Sequence, residues 1–192
     1  AGGNIFVTMP LTVWHGHEMV FGFTMAVVAG FLLTAVMNWT GLPTLSGLPL
    51  AILFLFWAAA RIFAFMPAAF PSWPMALCDT AFLVFLLVAV MRPIIAVKQW
   101  RQSAVFSKLI LVLLSGGVFS WALFYANLEI ERKALRFAVY IIVSLIFTIS
   151  RRILPFFIER GVGYPVTLRN NSALDFLSLV LLMAFSVMDV FC

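Results

Sequence analysis

The sequence predicts an all-α bundle of membrane-spanning helices, about six of them in this chain. Three observations predict it: an overwhelmingly apolar composition, a shortage of charge, and long apolar runs separated by clusters of helix breakers. Hydrophobic residues fill 65% of 192 positions and charged residues only 10%, and mean hydropathy is +1.14. Soluble domains carry roughly 25% charged residues, so too little polar surface exists here to cover a water-facing globule. A span needs about 20 apolar residues to cross a hydrocarbon core of ~30 Å. The runs are continuous rather than alternating, and lipid forbids an open sheet edge, which excludes strands.

The expected spans lie at about 20–37, 50–66, 74–91, 107–126, 137–158 and 174–192, in one helical domain. The first has no charge and stops at Asn38-Trp39-Thr40-Gly41, followed by Pro43, Gly47 and Pro49. Arg61 interrupts the second and Asp79 the third, with breakers from Pro67 to Pro74 between them. Trp73 in that cluster suits a membrane interface. Pro155, inside the fifth, lacks a backbone donor and should kink or end its helix. The last run reaches Phe191-Cys192 and the chain opens without Met, so a longer parent protein is expected.

Net charge is +5 and the isoelectric point is near 9.8. The basic residues sit in short runs between apolar stretches, which speaks for membrane topology and against a nucleic-acid partner. The connector after the third span holds Arg92, Lys98, Arg101 and Lys108 without an acid. The region after the fifth holds Arg160 and Arg169, near Arg151 and Arg152. These two connectors belong inside, which places the N-terminal stretch and the loops after spans two and four outside. Cys78 and Cys192 offer neither a disulfide framework nor metal-ligand spacing.

Ionisable residues within a span are costly and usually face a partner in the bundle interior. Arg61 precedes the outer end of its span by about as much as Asp79 follows the outer start of the next, so the two fall at one depth and should pair. Such a pair either stitches two helices together or holds an anionic group such as a haem propionate.

Both histidines lie in Trp14-His15-Gly16-His17-Glu18-Met19, at the mouth of the first span. Imidazole is the commonest metal ligand, and a thioether suits copper(I) or haem iron. His15 and His17 are about 200° apart on a regular helix and cannot serve one metal together. Regular spacing puts small Gly22, Ala26 and Ala29 beneath His15, and Phe21, Thr24, Val28 and Phe31 beneath His17. The small groove allows a porphyrin edge or a close helix–helix contact. His15 is the better haem-ligand candidate. No phosphate loop or nucleophile elbow accompanies these residues, and catalytic residues stay unassigned.

The stretches Trp14–Phe23, Ala29–Ala35 and Asn38–Gly41, with Arg152–Phe157 later, resemble the NnrS family. Gly16 and Met37 depart mildly from its pattern. The resemblance implies a multi-pass protein of the bacterial inner membrane, with about twice as many spans, containing haem (b-type) and copper. It implies a role in nitric oxide metabolism or nitrosative-stress protection, with nitric oxide or a related small ligand as partner. On this reading His15, His17 and Met19 are metal ligands, Glu18 and Asp79 support them, and Arg61 binds a propionate or Asp79. Two rival readings stand beside it. One is a transporter or channel with His17, Glu18, Arg61 and Asp79 lining a polar path. The other is a structural subunit in a membrane complex or homo-oligomer.

Overall fold

The computed structural model describes residues 9–66, 70–162 and 171–191. It is 87% helical, with six helices and no strand among the described residues. We number them α1 (Leu11–Thr40), α2 (Leu48–Ala64), α3 (Trp73–Ala96), α4 (Ser103–Phe124), α5 (Leu128–Gly161) and α6 (Ser172–Phe191). A helix satisfies every backbone polar group within one segment, which is what an apolar solvent demands. Four are long and apolar enough to cross a membrane: α1 with 30 residues, α3 with 24, α4 with 22 and α5 with 34. Helix α2 has 17 residues and the apolar part of α6 runs over Phe176–Val190.

Breakers and caps set the ends. Gly41 closes α1 at φ 71°, its N–H donating to the Met37 carbonyl at 2.9 Å. That left-handed conformation costs glycine little. Pro49 and Pro74 stand in the first turns of α2 and α3, where a missing N–H is harmless. The Asn127 side chain accepts the Ile130 N–H at the start of α5. Proline does not end every helix. Pro93 lies inside α3 and Pro155 inside α5, and α5 continues to Gly161. Helix α1 begins at Leu11, immediately after Pro10, so the histidine motif occupies its second turn instead of preceding it.

Each helix packs against its chain neighbour from α2 to α6, and α1 inserts between them, touching α2, α3 and α5. Its Met25, Leu32 and Val36 meet Leu86 and Val90 of α3, Val112 of α4 and Ile141 of α5 in one buried cluster. Outside, large apolar side chains stand bare: Phe124 is 70% exposed and Phe176 69%. Such a surface is stable against hydrocarbon. The Gln99 side chain donates to the Trp39 carbonyl at 2.7 Å and ties the α3 exit to the end of α1.

Two connectors carry strain, and Lys98, between α3 and α4, sits at φ 52°. Ala126, between α4 and α5, sits at φ 52°, where a β-carbon costs roughly 1–2 kcal/mol. Ala126→Gly is expected to raise stability by about 1 kcal/mol, less the added freedom of the unfolded chain, visible as a higher melting temperature in detergent.

Candidate functional site

Four side chains from three helices close into a ring inside the bundle, near the start of α1. His17 and Glu18 come from α1, Arg61 from the last turn of α2, and Asp79 from the second turn of α3. Arg61 Nη1 donates to Glu18 Oε1 at 2.8 Å, and its Nη2 donates to Asp79 Oδ1. His17 Nδ1 lies 3.0 Å from Glu18 Oε1, and His17 Nε2 lies 3.2 Å from Asp79 Oδ2. His17 is 2% exposed. Its ring stacks on Phe119 of α4, with centroids 4.8 Å apart and planes at 28°. Burying single charges this way would be prohibitive, whereas a closed set of opposite charges compensates much of the loss of solvent.

The backbone beneath the ring is unusual. Residues Glu18–Thr24 form a π-helical turn inside α1. Turns of this i→i+5 kind are rare and concentrate at functional sites. The Thr24 hydroxyl donates to the Met19 carbonyl at 2.7 Å and the Trp57 indole N–H to the Gly22 carbonyl at 3.0 Å. Both bonds satisfy carbonyls within the irregular stretch.

The turn also re-registers the faces of α1. The expected groove of Gly22, Ala26 and Ala29 beneath His15 does not form. Gly22 points at the Arg61 guanidinium and Ala29 is buried. Met19 and then Phe23, both exposed, succeed His15 down its own face. The wider turn shifts every later residue off the 100° spacing on which the groove was drawn. Under His17, Phe21 and Val28 are buried as a bulky floor, while Thr24 is half-buried.

The two histidines therefore part company. His17 joins Glu18, Arg61 and Asp79 inside; His15 and Met19 stand one turn apart on the outer face of α1. Trp14 fixes this division by donating its indole N–H to the Ala64 carbonyl at 3.0 Å and meeting Phe65 edge to face. Among the described residues, no three or more His, Cys, Asp or Glu side chains converge as a metal site. Sequence reasoning passed over Trp57 and Phe119, and it put Gly22 beneath His15 where the structure sets it against Arg61. Trp57 was findable, standing one helical turn before Arg61; Phe119 carries no local signal.

The sequence profile of the NnrS family, described as NnrS protein, matches residues 1–192. The chain belongs to the NnrS family. Neither a curated protein nor a solved structure matches it. Membership fits a membrane protein tied to the nitric oxide response, and the fold brings His17 and Glu18 of the histidine motif together with Arg61 and Asp79.

Proposed function

We propose that this chain is a membrane-integral haem protein of the nitric oxide response in the bacterial inner membrane, with His15 as a residue that would hold the haem near the outer face. The observation that carries the reading is the split of the motif. Both His17 nitrogens face carboxylate oxygens, whereas the His15 imidazole is exposed beside the Met19 thioether. His15, exposed on α1, has a ring nitrogen to give to haem iron, which supports this reading. A single copper held by both histidines does not fit this arrangement, since His17 is engaged on both sides. Copper, if held here, draws on His15 and Met19 together with donors from elsewhere.

Bound haem iron would supply a one-electron centre able to take a small diatomic ligand. The chain's own residues do the positioning. Trp14 pins the helix so that His15 and Met19 face outward. The charge ring anchors α1 to α2 and α3 directly beneath them. Arg61 is engaged by Glu18 and Asp79, so propionate binding falls to other groups. The transport reading is weaker, because the four polar groups close on one another instead of continuing along a passage.

The test is an absorption spectrum with metal analysis on the purified full-length protein and on His15→Ala and His17→Ala variants. A Soret band lost in His15→Ala and kept in folded His17→Ala is the expected result. The reverse pattern would move the ligand to His17, and a folded wild type without haem would sink the reading.

A further inference from the structure

We infer that Gly22 is a positioning residue: the π turn of α1 offers the Arg61 guanidinium a seat without a side chain, from which it reaches Glu18 and Asp79 together. A β-carbon at position 22 would lie 2.3 Å from Arg61 Nη1, 3.2 Å from Cζ and 3.4 Å from Cδ. A long side chain ordinarily swings away from such a contact. Arg61 is held at both ends of its fork, by Glu18 through Nη1 and by Asp79 through Nη2, with only 13% of its side chain exposed.

A second contact registers the same two helices. Trp57, one turn before Arg61 on α2, donates to the carbonyl of that same Gly22. Indole and guanidinium thus grip a single residue, one by its oxygen and one across its bare α-carbon. Other glycines differ: a β-carbon at Gly30 or Gly117 meets nothing within 4 Å. This inference is independent of which metal the protein carries.

The test is a mutational cycle read as melting temperature in detergent on the full-length protein. Gly22→Ala is expected to lower it by roughly 3–10 °C, the range for overpacking a tight site. Arg61→Lys keeps a cation between the carboxylates but lacks Nη1, so adding Gly22→Ala to Arg61→Lys should cost little more. Gly30→Ala and Gly117→Ala should cause no loss. An unchanged melting temperature in Gly22→Ala would overturn the inference. So would an equal loss in both backgrounds, since that signals a helix-packing defect unrelated to the guanidinium. If Gly22→Ala alone fails to accumulate, the double variant decides: recovery to the Arg61→Lys level supports the seat, and continued failure refutes it.

Discussion

Replacing Arg61 by Leu is expected to destabilise the protein by about 3–5 kcal/mol, the cost of leaving buried charge uncompensated. Glu18 and Asp79 both lose their guanidinium partner, and only His17 remains between two carboxylates. The loss should appear as reduced accumulation and as a lower midpoint of unfolding in a detergent titration. It should also be largely relieved in a triple variant, Arg61→Leu with Glu18→Gln and Asp79→Asn, because neutral groups remove the uncompensated charge. If the triple variant is as unstable as the single one, the ring's charge balance is not what holds α2 and α3 to α1.

Phe119→Ala is expected to cost about 3 kcal/mol, measured by the same titration. Phe119 is 1% exposed and lies against both His17 and Phe21. Truncation opens a cavity over the face of the His17 ring. Phe124→Ala, five residues along the same helix on an exposed position, is the matched control and should change stability by less than ~0.5 kcal/mol. Equal effects at the two positions would mean that α4 does not buttress the ring.

The helical class was legible from composition alone, because lipid leaves few other ways to satisfy a backbone. The Arg61–Asp79 pair was legible too, from two intramembrane charges at matching depth on neighbouring antiparallel helices. Their enlargement into a ring with His17 and Glu18 was not. It depends on the π turn, and residues Glu18–Thr24 carry no propensity that marks an i→i+5 stretch. For the same reason the groove drawn beneath His15 rested on regular spacing that the backbone abandons three residues later. Phe119 was beyond reach because it meets His17 only through tertiary packing, across about a hundred residues of chain.

Two helices are much longer than a bilayer is thick. At 1.5 Å per residue, α1 is about 45 Å long and α5 about 51 Å, against a hydrocarbon core of ~30 Å. The two touch near their starts, with Leu135 of α5 lying against Gly16 of α1, and α5 there bears Glu129, Glu131, Arg132 and Lys133. The surplus length of each helix must tilt within a bilayer or project beyond it, and the contact with Leu135 lies one residue from the exposed His15. Where the two project together, charged side chains of α5 and the His15 imidazole would meet water on one short stretch of paired helix.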